Sequence, residues 1–211
     1  MTPARQGLRA WCLAAAAILI AETAAGALEQ RGRGAVTRPI ANAACASDLG
    51  IGVRSKRRFC DVIIASTPRE SVSVAIPART GVASLLFDLH NRFTVPPASV
   101  DLTQAFVKNT AVVAVIRPTG EVIERAVVSR EYRTPADLFD RIAGAARGSA
   151  PRVVAPGQAV AVRIDIPAGL TTVGIVGTRL EEWRAGGRGA FDNPNKPIAM
   201  VSNLRIEFTP R

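Results

Sequence analysis

The alternation of apolar and polar residues is clearest between Gly81 and Phe93, where the sequence reads GVASLLFDLHNRF. One face of an extended strand over this stretch is apolar and carries Ala83, Leu85, Phe87 and Leu89. The other face is mostly polar and carries Ser84, Leu86, Asp88, His90 and Arg92. Because successive side chains of a strand point to opposite faces, the pattern predicts a strand with its apolar face in a core and His90 on an outer polar face.

The same alternation, or a run of β-branched residues, recurs along the chain between clusters of proline, glycine and asparagine. It predicts further strands at residues 59–65, 71–76, 112–117, 121–128, 160–166, 172–176, 198–201 and 204–208. The turn Pro118-Thr119-Gly120 lies between two of these strands and is typical of a hairpin. The pattern of residues 100–109 fits both a strand and a helical turn.

One helix is predicted, beginning at Pro135 and ending near Arg147. Thr134 is suited to the N-cap position, Pro135 to the first helical position and Asp137 to the third. The segment also has an apolar stripe, which consists of Leu138, Phe139 and Ile142. Together these patterns predict a mainly β protein, a two-layer antiparallel β-sandwich of jelly-roll type with one amphipathic helix packed against it.

The N-terminus has the layout of a signal peptide. Arg5 and Arg9 precede the apolar run at residues 10–21, which is shorter than the roughly 20 residues that a membrane-spanning helix needs. Small residues at Ala25 and Ala27 suit a signal peptidase. The sequence therefore predicts a signal peptide at residues 1–27, no transmembrane anchor after its cleavage, and a periplasmic or secreted protein.

The rest of the chain divides by composition into two parts. Residues 28–44 are rich in Gly, Arg and Pro and lack an apolar period, which predicts a flexible basic linker. Residues 45–211 contain every predicted strand, and their number suits one domain with a core. We therefore expect a single β-sandwich domain over 45–211.

Cys45 and Cys60 are the two cysteines that remain after signal cleavage. An even number of cysteines in an exported chain predicts a disulfide, which would contribute about 3 kcal/mol for a loop of this length. There is no CxxC motif, and a single histidine does not complete a cysteine-based zinc site. We therefore predict neither a metal site nor a cofactor.

Basic residues outnumber acidic ones by 27 to 17, giving a formal charge of +10 that favours anionic partners. A compact basic cluster, Lys56, Arg57 and Arg58, lies between the two cysteines and is the best placed to contact an anion. The expected partners are an anionic glycan, lipopolysaccharide or an envelope protein, although a merely solvated surface explains the same charges. Nucleic acid is not expected, because aromatic residues are few and no nucleic-acid-binding motif is present.

Asp88, His90 and Arg92 share one face of the central strand, with Asn91 beside them. Alternate residues of a strand lie about 6.5 to 7 Å apart, so Asp88 and His90 could approach one ligand or metal. Further metal ligands would have to come from elsewhere, with Asp61, Asp101 and Asp165 as the candidates. The alternative interpretation is that His90 makes a structural hydrogen bond on a polar outer face.

Trp183 follows two carboxylates, Glu181 and Glu182. Adjacent residues on a strand point to opposite faces, so these two carboxylates cannot flank one glycosidic bond as a hydrolase requires. Trp183 is a candidate stacking platform for a ligand; the alternatives are a rim or a core position, and the core is favoured.

These observations favour an exported non-catalytic β-sandwich that binds an envelope component, a polysaccharide or a protein partner. The alternative is a periplasmic or secreted hydrolase that uses His90 with Asp88, with or without a metal. No serine lies in a GxSxG motif and no Gly-rich loop opens a helix after a strand, so enzymatic activity is the weaker prediction. A third hypothesis is an assembly subunit that pairs through an exposed edge strand.

Overall fold

Two antiparallel sheets contain most of the residues that the computed structural model describes, which are 34–95, 106–144 and 151–211. The strands in chain order are β1 Val36–Pro39, β2 Ala44–Cys45, β3 Asp48–Ile51, β4 Arg58–Ile63, β5 Val72–Ala75, β6 Arg79–Thr94, β7 Val107–Ile116, β8 Val122–Tyr132, β9 Val154–Pro156, β10 Val160–Ile166, β11 Thr172–Arg184, β12 Gly187–Phe191 and β13 Pro197–Pro210. The first sheet has the order β10-β6-β13-β4-β3, with β1 beside β13 and β9 beside β6. The second has the order β2-β5-β11-β7-β8, with β12 beside β11. The predicted two-layer antiparallel β-sandwich is confirmed.

The inner face of β6 forms the centre of the core, as its alternation predicts. Ala83, Leu85, Phe87 and Leu89 are all at most 1% exposed. They pack against aliphatic side chains of both sheets, which include Val113, Val115, Ile164, Val173, Ile175 and Val201. This burial between the sheets is the main source of hydrophobic stabilisation in the domain.

The hairpin predicted around Pro118 is formed by β7 and β8. Arg117 N donates to Glu121 O at 2.8 Å and Gly120 N donates to Arg117 O at 3.0 Å, which closes the turn. Gly120 has a φ of +89°, a conformation that favours glycine. The sequence pattern of residues 100–109 fits both a strand and a helical turn. Val107 to Asn109 are part of strand β7, and residues 100–105 lie outside the described residues.

The predicted helix is wrong. Its cap forms as expected: Thr134 Oγ1 accepts from Ala136 N at 3.3 Å, and Asp137 Oδ2 accepts from Thr134 N at 2.8 Å. Only a 3₁₀ turn at Pro135–Asp137 follows, and Leu138 is already extended. Residues 145–147 lie outside the described residues.

The backbone after this turn bonds to strands instead of to itself. Phe139 N donates to Pro156 O at 2.9 Å, Leu138 bridges Gly157, and Ile142 bridges Gly52. The apolar residues that suggested one helical stripe enter two different clusters: Leu138 packs with Phe93 and Tyr132, and Ile142 with Phe59 and Leu49. Tertiary hydrogen bonding and packing therefore override the local helical pattern.

Part of the predicted linker is ordered. Val36–Pro39 forms β1 and pairs with β13, with Val36 opposite Phe208. The Arg38 guanidinium also lies 5.6 Å from the centroid of the Phe208 ring. The prediction of a flexible linker is wrong for this segment, because an exposed strand can pair through its main chain without an apolar period. Residues 28–33 lie outside the described residues.

The predicted disulfide between Cys45 and Cys60 is present, with Cα atoms 5.7 Å apart. Cys45 is in β2 of the second sheet and Cys60 is in β4 of the first. The bond therefore joins the two layers of the sandwich covalently. Within the described residues, no helix has the length and apolar character needed to cross a membrane.

Candidate functional site

His90 is fully buried, so the prediction that it lies on an exposed polar face is wrong. Nδ1 lies 2.8 Å from Gly157 O and Nε2 lies 3.0 Å from Ser202 Oγ. The ring centroid is 5.4 Å from that of Phe59 and 5.1 Å from that of Phe139. The outer face of the first sheet is covered at this point by a second small core, which contains Leu49, Phe59, Ile142, Val154 and Met200.

The surroundings of His90 keep its imidazole neutral. Burial lowers the pKa of His90, and the opposing effects of the Gly157 carbonyl and the Asp88 carboxylate do not restore it. Both ring nitrogens already have hydrogen-bond partners. His90 therefore holds Gly157 and Ser202 together, and it offers no accessible ring nitrogen to a substrate.

Asp88 forms hydrogen bonds with Arg57 of the basic cluster and with Asn203, and not with His90. Its Oδ2 accepts hydrogen bonds from Arg57 Nη1 at 2.5 Å and from Asn203 Nδ2 at 3.2 Å. The Arg57 guanidinium also lies 5.3 Å from the centroid of the Phe139 ring. The structure thus joins two groups that the sequence presents separately, the polar face of β6 and the basic cluster between the cysteines.

Arg92 and Asn91 are also held by protein groups. Arg92 Nε is 2.9 Å from Asp61 Oδ1, and Asp61 also accepts from Ser47 Oγ at 2.9 Å. Burial raises the pKa of Asp61, although its contacts with Arg92 and Ser47 act in the opposite direction. Asn91 is buried between the sheets, where its Nδ2 donates to Asn109 O at 2.9 Å.

The carboxylates considered as metal ligands do not converge. Asp61 is bonded to Arg92, while Asp165 accepts a hydrogen bond from Ser84 at 2.6 Å on a different part of β6. Asp101 lies outside the described residues. Within the part of the chain that is described, no group of three or more His, Cys, Asp or Glu side chains is arranged to hold a metal ion.

Asp140 positions the loop between β3 and β4. Its carboxylate accepts hydrogen bonds from the backbone N–H groups of Arg54 at 3.0 Å, Ser55 at 2.7 Å and Arg141 at 2.7 Å. Burial alone would raise the pKa of Asp140, but the hydrogen bonds from Ser55, Arg54 and Arg141 hold it below the usual value. A Cβ at Gly52 would lie 2.4 Å from Asp140 Oδ2, so this close approach requires glycine.

Sequence reasoning does not find this role of Asp140, because Arg54 and Ser55 are 86 and 85 positions away in the chain. The sequence offers one indication, a carboxylate at Asp140 among the apolar residues of 138–142. The predicted surface helix would explain an exposed carboxylate at this position equally well.

The loop anchored by Asp140 presents apolar side chains to solvent. Gly52 bridges Ile142, Val53 N donates to Arg141 O at 2.8 Å, and Ala143 N donates to Ile51 O at 2.9 Å. Because side chains alternate across this local pairing, Ile51, Val53 and Arg141 share the outer side while Ile142 points into the small core. Ile51 is 46% and Val53 is 42% exposed.

Four basic residues belong to the loop and to the segments that pair next to it, namely Arg54, Lys56, Arg141 and Arg152, whose main-chain N donates to Ile142 O at 2.9 Å. Lys56 Nζ donates to Val53 O at 2.7 Å, Arg54 Nη2 donates to Phe139 O, and Arg141 Nη2 donates to Arg152 O at 3.4 Å. We call this surface the basic patch, and it consists of Ile51, Val53, Arg54, Lys56, Arg141 and Arg152. None of its four cations forms a salt bridge with another described residue.

The predicted basic cluster is therefore divided by the structure. Lys56 belongs to the basic patch, whereas Arg57 is paired with Asp88, and Arg58 binds Asp48 through Nε at 2.9 Å and Nη2 at 2.6 Å. Each of these two arginines is paired with a carboxylate, so the two ion pairs add little net positive charge to the surface. Arg54, which is two positions before Lys56, and Arg141 and Arg152, which are distant in the sequence, supply the charge in their place.

Trp183 is 46% exposed on β11, so a core position is excluded. The Arg188 guanidinium lies 4.8 Å from the centroid of its ring. Glu181 bonds Arg188 at 2.7 Å and Glu182 bonds Arg184 at 2.7 Å. The two carboxylates thus have separate arginine partners, and one face of the Trp183 ring is already covered by a cation.

Fold and disulfide together define an antiparallel β-sandwich whose two layers are covalently joined. No protein-family model and no curated protein matches the chain. Among solved structures, the chain is similar to the K1 cleaved adhesin domain of Lys-gingipain from Porphyromonas gingivalis W83, with 10% sequence identity and a TM-score of 0.33. The match covers 84% of this chain and 99% of that chain. A likeness at this level carries no argument about function, which has to be inferred from the site.

Proposed function

We propose that the chain is an exported, non-catalytic β-sandwich domain that docks on an anionic envelope lipid surface through the basic patch. The disulfide supports an oxidising compartment, either periplasmic or extracellular, and agrees with the signal peptide predicted from the sequence. The observation that carries the proposal is the combination of two exposed aliphatic side chains and four cations that form no salt bridge among residues 34–95, 106–144 and 151–211.

The composition of the patch favours a lipid surface over a soluble polyanion. A Lys or Arg close to an anionic membrane surface contributes about 1 kcal/mol of binding free energy. A soluble acidic polymer needs those charges, but it offers no apolar layer for Ile51 and Val53. A lipid surface supplies both, because the headgroups carry the charge and the acyl region accepts aliphatic side chains.

Arg152 strengthens this surface although two carboxylates lie near it. Its charge lowers the pKa of Asp48 and acts against the raised pKa of Asp61, after the larger effects of burial and of their own arginine partners. Asp48 is already bonded to Arg58 and Asp61 to Arg92. These two carboxylates are therefore already neutralised by other arginines, and Arg152 adds a net positive charge to this region.

The proposal is tested by cosedimentation of the chain beginning at residue 28 with vesicles of phosphatidylcholine, with and without phosphatidylglycerol. We expect binding only to the anionic vesicles, with an affinity that falls as salt rises. The double variant Arg54→Gln, Lys56→Gln should weaken binding by roughly 30-fold, since two contributions of about 1 kcal/mol are lost.

Two controls sharpen the vesicle experiment. Arg69→Gln with Arg125→Gln removes the same charge from exposed residues that also form no salt bridge within the described part of the chain, and it should bind vesicles as the parent does. Val53→Asn should weaken vesicle binding at constant charge. Equal losses in the patch variant and the charge-matched control would contradict the proposal, and so would binding to dextran sulfate without binding to anionic vesicles.

A further inference from the structure

A separate cleft opens at one end of the sandwich, and strands of both sheets contribute to it. Its volume is about 600 Å³, and it is lined by the end of β6, the start of β7, the end of β11 and the residues that lead into β13. Ligand sites in proteins commonly have volumes of about 300 to 1,000 Å³. None of the basic patch residues lines this cleft, so it is a second candidate site.

Apolar side chains line one part of the cleft, which we call its inner wall. Phe93, Leu180 and Ile198 line it and are at most 5% exposed, and Val107 is 8% exposed. Phe93 is held in place by Tyr132, whose ring centroid lies 5.6 Å away. Arg92, Thr94 and Asn109 line the cleft beside these apolar side chains, so a ligand would meet polar groups as well as an apolar surface.

The mouth of the cleft is cationic. Lys196 lines it with Nζ 3.3 Å from the centroid of the Phe191 ring, and it forms no salt bridge with a described residue. Arg184 also lines the cleft and remains 62% exposed although its Nε bonds Glu182 at 2.7 Å. Glu182 is the carboxylate among the lining residues, and Arg184 already neutralises it.

We propose that this cleft binds an amphiphilic anion, with the apolar part of the molecule on the inner wall and its carboxylate or phosphate group at Lys196. Apolar side chains and cations line the same cleft, which suits a ligand that is apolar at one end and charged at the other. Both headgroups are anions that an ammonium can bind.

The test is calorimetric titration of the chain beginning at residue 28 with decanoate, decyl phosphate and decanol, each below its aggregation limit. These probes have the same apolar chain and differ in the headgroup. Binding of at least one anion, with decanol about tenfold weaker, supports the proposal. The tighter of the two anions identifies carboxylate or phosphate as the preferred group.

Three variants locate the binding. Lys196→Gln should weaken the anion about tenfold, whereas Arg125→Gln, which removes one charge outside the cleft, should not. Ala185→Trp places a large side chain at an exposed lining position and should abolish binding of all three probes. The melting temperature of each variant shows whether it has kept its fold.

Three results would overturn the proposal: no binding of any probe, equal binding of decanol and the anions, or unchanged binding in folded Lys196→Gln and Ala185→Trp. The outcome is independent of the vesicle experiment, because Lys196→Gln should leave binding to anionic vesicles unchanged. Loss of amphiphile binding in the Arg54→Gln, Lys56→Gln variant would likewise contradict a separate site.

Discussion

The two faces of β6 are both buried around Leu89 and His90, but by different parts of the molecule. The inner face carries aliphatic side chains that meet the second sheet, so its cover comes from regular strands. The outer face carries His90, and its cover comes from Phe59 and from the extended segment around Phe139. The comparison teaches that polar character on one face of a strand does not mean exposure when another segment supplies hydrogen bonds and aromatic contacts.

The largest effect is expected for the inner face. Phe87→Ala should destabilise the domain by about 3 to 5 kcal/mol, because a fully buried aromatic side chain leaves a cavity between the sheets. Urea denaturation followed by circular dichroism measures this loss. A change below about 1 kcal/mol would mean that the site is far less tightly packed than burial indicates.

A smaller effect is expected for the outer core. Phe139 is only half-buried, so Phe139→Ala should cost about 2 to 3 kcal/mol in the same measurement. If Phe139→Ala costs more than Phe87→Ala, the proposed ranking of the two cores is wrong.

Asp140→Asn tests the hydrogen bonds by which Asp140, next to the second small core, holds the loop between β3 and β4. The substitution should cost about 1.5 to 3 kcal/mol at neutral pH, because charge-assisted hydrogen bonds to Arg54 N and Ser55 N become weaker. The pKa of Asp140 is lowered in the folded state, so its stabilisation is present above the unfolded pKa and is lost as pH falls through the folded pKa. Acid titration of stability should therefore be less steep in Asp140→Asn than in the parent.

The smallest effect is the pH dependence from His90. Its pKa is lowered below 6.5 by burial, with Asp88 and Arg57 as the nearby charged groups. Below about pH 6.5 the unfolded chain binds a proton that the folded chain does not, so stability should fall as pH decreases by up to about 1.4 kcal/mol per unit. Denaturation at a series of pH values measures the slope, which His90→Gln should reduce. An unchanged slope in that variant would show that other groups cause it.

Local patterns were sufficient wherever neighbouring residues decide the conformation. The alternation in residues 81–93 predicted β6, the turn at Gly120 predicted the β7–β8 hairpin, and Cys45 and Cys60 predicted the disulfide. Local patterns were insufficient at Thr134, where a correct helix cap is followed by extended chain that pairs with distant strands.

The candidate site was only partly predictable. Lys56 is exposed, but its neighbours Arg57 and Arg58 are paired with acids, and anion binding by these residues stays a prediction. The residues that complete the basic patch, Arg141 and Arg152, are distant in sequence and adjacent only through hydrogen bonds across the small outer core. The signal peptide at residues 1–27 stays a prediction, because it lies outside the described residues.

The sequence by itself determined which side chains of β6 enter the main core, because the period of two is a property of the strand alone. It also determined the disulfide partners and the excess of positive charge. Only the tertiary structure decided that His90 is buried, that the segment after Thr134 is extended, and which cations remain without acidic partners. Those outcomes depend on contacts between residues far apart in the chain, whose pairing no local pattern records.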